Sequence, residues 1–216
     1  MFTKYGYTTI GTAAIISFLI IIVGIFVNNN LIKISLFVIA IVLISFTLYF
    51  FRDPDRTPPE RRDVIVSPAD GRVLFVKEMD DEKFIQGKAL QVSIFMSPLN
   101  VHVNRIPITG KIEYLKHFDG RYIAAFDEKA TDLNERTEIG INSKYGKIFF
   151  TQVAGMVARR IVNTLSIGDS VEISKRFGMI KFGSRVDVIV PLNWKEKVKK
   201  DESVVAGESI LFELKN

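Results

Sequence analysis

The sequence contains no cysteine. That excludes disulfides, zinc–thiolate sites and cysteine nucleophiles. Histidine is nearly as scarce, with His102 and His117 the only two. A metal site built from several histidines is therefore not expected, and no metal is assigned. Imidazole acid–base chemistry has to use one of this pair. Charge is missing from most of the first fifty residues, although the whole chain is 25% charged and 48% hydrophobic. Apolar and charged residues are thus segregated along the chain. A formal net charge of +5 and a pI near 9.3 suit either nucleic acid or an anionic membrane surface. The N-terminal segment decides for the membrane, and no nucleic-acid partner is expected.

Residues 8–27 are an uncharged apolar run, Asn28-Asn29-Asn30 interrupts it, and residues 31–51 form a second run with Lys33 near its start. Each is about the 20 residues that a helix needs to cross a bilayer. Asparagine clusters favour turns, so residues 1–51 are predicted to be an α-helical transmembrane hairpin. No small-residue cleavage site follows the first run, which argues against a signal peptide. Lys4 precedes the hairpin and Arg52, Arg56, Arg61 and Arg62 follow it, whereas the far side has only Lys33. The positive-inside rule then places the protein at the cell membrane with both termini and the catalytic domain in the cytoplasm. Residues 52–63 hold Pro54, Pro58 and Pro59 among charges and read as an extended linker.

From residue 64 onward, short runs rich in β-branched and aromatic residues are broken by Gly, Asp, Asn or Pro. They predict strands at 64–66, 72–76, 89–95, 110–117, 137–142, 146–152, 170–173, 182–190 and 209–214. Residues 156–165 read as a short helix or a strand. Residues 64–216 are therefore predicted to form one β-rich α+β domain. Two turn-then-strand elements stand out, Ser67-Pro68-Ala69-Asp70-Gly71-Arg72-Val73 and Val205-Ala206-Gly207-Glu208-Ser209-Ile210. They resemble the paired hairpins of barrel-sandwich hybrid domains such as lipoyl carriers.

Most of the chemical content lies in residues 176–191. A period of two puts Ser184, Val186, Val188 and Val190 on one strand face, and Arg185 and Asp187 on the other. A hydroxyl thus falls on an apolar face directly after Gly183, which has no Cβ and tolerates strained dihedrals. Ser184 is placed to attack the carbonyl of its own predecessor. Taken alone, the pair reads as a bulge or tight bend. Asp70 alone reads as a turn cap, His102 as a strand histidine between valines, and His117 as structural. Arg159 and Arg160 alone read as a solvated face, although arginine also suits bidentate phosphate or carboxylate contacts.

Four segments in order change those readings: Ser-Pro-Ala-Asp-Gly-Arg-Val at 67–73, Asn-Val-His-Val-Asn-Arg at 100–105, Gln-Val-Ala-Gly-Met-Val-Ala-Arg-Arg-Ile-Val at 152–162 and Arg-Phe-Gly-Met-Ile-Lys-Phe-Gly-Ser-Arg-Val-Asp at 176–187. Together they resemble the short-form phosphatidylserine decarboxylases, pyruvoyl-dependent enzymes whose archaeal members are assigned to archaetidylserine. The resemblance covers roughly residues 45–216. It implies self-cleavage at Gly183-Ser184 into a β chain, 1–183, and an α chain, 184–216, which stay together as a heterodimer, with further oligomerisation possible. Ser184 becomes a covalent pyruvoyl cofactor, forms a Schiff base with the headgroup amine of a membrane serine phospholipid, and draws off the electrons as carbon dioxide leaves. Asp70 matches the family's catalytic aspartate. Longer members carry two histidines three apart; here the first matches His102 and the second position is Arg105. His102 is thus implied in processing, decarboxylation or both. Arg105, Arg159 and Arg160 are the substrate-binding candidates. The competing reading is a non-catalytic, membrane-tethered lipoyl-like carrier or binding module. It calls for an attachable lysine in a hairpin turn, yet Lys181 lies in a strand-like run.

Overall fold

The computed structural model describes residues 1–121, 123, 133–155, 160–181 and 183–215. It divides into two compact units, residues 1–55 and 56–216. In the first, a single 3₁₀ turn at Lys4–Gly6 leads into helix α1 (Tyr7–Phe26), and α2 (Asn30–Phe50) follows. Asn29 caps α2, its Oδ1 accepting the amides of Leu31 at 3.0 Å and Ile32 at 3.3 Å. Both helices are long and apolar enough to span a bilayer. Their large apolar side chains stand exposed, Phe18 at 62%, Leu19 at 54%, Leu31 at 76% and Val42 at 60%. Helices apolar all round with so much uncovered surface are suited to lipid rather than water. The hairpin expected at 8–27 and 31–51 is thus present as two such helices, within a residue of those bounds.

The second unit is built of strands, as expected for a β-rich domain. They are β1 (Val64–Val66), β2 (Gly71–Asp81), β3 (Gly87–Met96), β4 (Val103–Arg105), β5 (Gly110–Phe118), β6 (Arg136–Ser143) and β7 (Gly146–Ala154). After these come β8 (Ile161–Asn163), β9 (Ser170–Val171), β10 (Arg176–Ile180), β11 (Ser184–Pro191), β12 (Trp194–Glu196), β13 (Ser203–Val204) and β14 (Ile210–Leu214). An eight-stranded sheet runs β13-β2-β3-β11-β7-β6-β5-β9 and curls into a half-barrel. Two three-stranded sheets, β1-β14-β12 and β4-β10-β8, complete the unit. The tip of residues 156–165 is resolved in favour of a strand, since 161–163 form β8 against β10; residues 156–159 lie outside those described. The strand expected at 182–190 begins at Ser184, and Phe182 is also outside the described residues.

β11 lies between β3 and β7, with Ser184 opposite Met96 on one side and Ala154 on the other. Its alternation sorts the two faces. Val186, Val188 and Val190 enter the main core with Val92, Ile94, Phe150 and Trp194. On the other face Arg185 and Asp187 form a buried bidentate pair, Nε to Oδ1 at 2.7 Å and Nη2 to Oδ2 at 3.0 Å. Ser93 donates to the same Asp187 oxygen, so neither charge is buried without a counterpart. The strands after Gly183 do not form a separate layer. β11 is sandwiched in the large sheet, β13 pairs with β2, and β14 pairs with β1.

Candidate active site

β10 leads into the candidate cleavage point. It runs between β4 and β8, Met179 facing Val103 and Val162, and Gly178 facing Asn104 and Asn163. A Cβ on Gly178 would sit 2.2 Å from the Val162 carbonyl oxygen, so only glycine allows β8 this close. β10 ends at Ile180, and Gly183 follows with φ +64°. A Cβ there would meet nothing within 4 Å. The need for glycine at 183 is therefore conformational: the left-handed backbone, not lack of room, selects it.

Ser184 is fully buried at the start of β11. Its Oγ lies 3.1 Å from Met96 Sδ, an O–H···S contact within the buried interior. Asn104 Nδ2 approaches the same sulfur at 3.8 Å and the Pro68 carbonyl at 3.4 Å. Asn104 Oδ1 accepts Gln152 Nε2 at 2.8 Å, and Gln152 Oε1 accepts Asn163 Nδ2 at 3.2 Å. This chain of amides ties β8, β7, β4 and the turn before Asp70 to the place where Ser184 sits. The sequence reading missed it. Asn104 and Gln152 lie inside the matched segments, but a lone amide on a short strand has no spacing signature, and Met96 looks like any core methionine.

His102 is fully buried just before β4. Its Nδ1 lies 2.9 Å from the Asn100 carbonyl, which can only accept. That assigns the proton to Nδ1 and leaves Nε2 the basic nitrogen of the neutral ring. The His102 carbonyl takes the Ile180 amide at 3.4 Å, so the histidine is stitched to the strand that ends just before Gly183. Asp70 sits in the turn between β1 and β2. Its Oδ1 accepts the Ala206 amide at 2.8 Å and its Oδ2 accepts Arg56 Nη2 at 2.9 Å.

The arginine candidates part company. Arg105 is buried, with Nη1 donating to the Ser174 carbonyl at 2.9 Å and its backbone amide to Pro68 at 2.9 Å. Arg160 is exposed, and its carbonyl accepts the Lys181 amide at 3.2 Å, two residues before Gly183. Burial, and then the Arg160 charge, hold the Lys181 ammonium below the ordinary lysine value. Arg159 lies outside the described residues. His117 is on β5, with Nδ1 2.9 Å from Thr137 Oγ1.

A sequence model of the phosphatidylserine decarboxylase family matches residues 43–212. The chain belongs to this family. Among its relatives, the phosphatidylserine decarboxylase proenzyme of Chlorobium limicola is 46% identical over 211 residues, covering 98% of this chain and 99% of the relative. That of Chlorobium phaeovibrioides is 45% identical over 218 residues, covering 99% and 97%. That of Prosthecochloris aestuarii is 41% identical over 216 residues, covering 100% and 99%. The likeness to these proenzymes extends over both units, hairpin included. Asp70, His102, Gly183 and Ser184 all fall within the range matched by the decarboxylase family.

Proposed function

We propose that this chain is a proenzyme that cuts itself between Gly183 and Ser184 and then decarboxylates phosphatidylserine to the ethanolamine lipid. One observation carries the reading: a left-handed glycine delivers a buried serine hydroxyl into a hydrogen-bonded site at the head of a central strand. An intramolecular attack needs no access from solvent, so burial favours it.

In the first step Ser184 Oγ loses its proton and adds to the Gly183 carbonyl carbon. Collapse breaks the amide, leaving an ester from Gly183 to Ser184 Oγ and a free amino group on residue 184. Removal of the Ser184 Cα proton expels the Gly183 carboxylate. The dehydrated residue takes up water, releases ammonia and leaves a pyruvoyl group at the start of the 184–216 chain. His102 accepts and returns protons through Nε2, and Asp70 is the anionic partner in this proton traffic.

The site fits such a group. It replaces a side chain already enclosed against Met96. Once formed, the pyruvoyl carbonyl supplies the electron sink for loss of the headgroup carboxylate. Arg160 and Lys181 bring cationic charge to the loop, where a lipid phosphate is best met. Arg105, locked onto Ser174, holds the neighbouring turns together. The two apolar helices keep the domain at the bilayer that contains its substrate, and the excess of flanking Lys and Arg supports a cytoplasmic position for it.

Intact-mass measurement of the purified protein tests the reading. Two chains, 1–183 and a blocked 184–216, are expected, with Ser184→Ala remaining one chain and losing decarboxylation. A single chain in fully active enzyme sinks it.

A further inference from the structure

Arg56 belongs to none of the four matched segments, yet it reaches two of the features singled out in the sequence. Its Nη2 donates to Asp70 Oδ2 at 2.9 Å and its Nη1 lies 3.5 Å from Glu208 Oε2. The next residue joins in, since the Thr57 amide donates to Glu208 Oε1 at 3.0 Å. Asp70 is in the first turn-then-strand element and Glu208 in the second. Backbone bonds already pair these turns, Gly207 to Ser67 at 2.7 Å and Ser67 to Ser209 at 2.8 Å. The guanidinium fork closes over them, spanning both carboxylates as a point charge could not. The Arg56 and Asp70 side chains are only 15% and 13% exposed, so solvent screens the pair less than an ordinary surface pair.

We propose that Arg56 is a positioning residue for self-cleavage, holding the Asp70 carboxylate ionised and fixed at the junction of the two turns. The proposal rests on the reading of Asp70 as a participant in that cleavage. One Asp70 oxygen is held by the Ala206 amide and the other by Arg56, and both contacts favour the anion. Among the described residues, charged groups near it include Arg56 from the linker, Glu208 from the turn after β13, and Arg105 from β4, which packs against Gly207. The segment that leaves the membrane hairpin therefore supplies part of the machinery of maturation.

The test follows self-cleavage of the freshly synthesised full chain against pH, by gel and intact mass, for wild type, Arg56→Gln and Arg56→Lys. Arg56→Gln is expected to cleave about tenfold more slowly at pH 7, and the lower break of its acid limb, where Asp70 protonates below the break set by His102, to move up by about one pH unit, because an uncompensated Asp70 protonates more readily. Arg56→Lys keeps the charge but loses the fork, so its acid limb stays in place while its rate falls about threefold. A purely structural role lowers the melting temperature and the rate without moving the acid limb. Arg56→Gln cleaving with the wild-type rate and pH profile overturns the proposal. If Arg56→Gln does not fold, Arg56→Lys decides: an unchanged rate or a moved acid limb overturns the proposal. Absence of cleavage in wild type overturns the parent reading and this one with it, whereas normal wild-type cleavage with an indifferent Arg56 overturns this one alone.

Discussion

His102 illustrates how one backbone contact sets the chemistry of a side chain. With Nδ1 committed to the Asn100 carbonyl, the neutral ring has its basic nitrogen at Nε2. In the proposed reading this one imidazole serves alone, since Arg105, three residues on, is not a base at neutral pH. The other histidine is engaged with Thr137 on β5. His102→Ala is therefore expected to slow self-cleavage by about 100-fold or more, the usual worth of a positioned general base. Gel analysis of freshly made protein checks this. Normal cleavage with lost turnover would assign His102 to decarboxylation alone and move the processing base elsewhere.

At the scale of elements, a buried carboxylate pins the β2–β3 connection onto the large sheet. Glu138 on β6 is 1% exposed and receives Lys83 Nζ at 2.5 Å, Arg136 Nε at 3.1 Å and Tyr114 Oη at 3.1 Å. Burial by itself raises its pKa, but the bonds from Lys83 and Arg136 outweigh that and hold it below the ordinary glutamate value. Because the folded pKa is the lower one, the stabilisation is complete above the unfolded value of about 4.3 and disappears as pH falls through the folded value. Glu138→Gln is expected to cost about 1–2 kcal/mol at neutral pH, discounted because Lys83 is half exposed. It is also expected to flatten the loss of stability below about pH 4.3. Urea unfolding in the single-chain Ser184→Ala background measures both.

Elements were legible where the signal is local. Two long apolar runs separated by asparagines define the helices by length alone, and β11 shows its faces through strict alternation from Ser184 to Val190. Gly183-Ser184 was legible for the same reason, a conformational glycine followed by a hydroxyl on an apolar face. β10 was not, and β4 and β8 were only half so, one through a strand histidine at 102 and the other as a helix-or-strand at 156–165. Each is short, Gly178 interrupts β10, and what makes them strands is their pairing with one another across long stretches of chain. The contacts that depend on that pairing were hidden with it. They include the Asn104–Gln152–Asn163 relay and the Met96 sulfur under Ser184. Arg56 was hidden differently, since its charge counted toward membrane orientation and nothing nearby in sequence marks Asp70 and Glu208 as its partners.

At the scale of the whole molecule, the place of residues 184–216 has a consequence for how the protein ages. β11 is held on both sides by strands from the first 183 residues, and β13 and β14 are laced to β2 and β1. The proposed cut before Ser184 would leave these ladders intact and so hold the two products together. What the cut removes is the covalent link that let a single chain find this arrangement, in which a late segment becomes the middle of a sheet made by earlier ones. Refolding after maturation becomes a meeting of two molecules, and the small one has no core of its own. Urea-denatured Ser184→Ala is expected to regain its circular dichroism at a rate independent of protein concentration. Cleaved wild type is expected to recover slowly, in proportion to concentration, or to aggregate; equal recovery in both would contradict this. On the proposed cleavage, the mature enzyme would persist by the height of its unfolding barrier rather than by its equilibrium stability, each molecule spending its folding instructions in the act that switches it on.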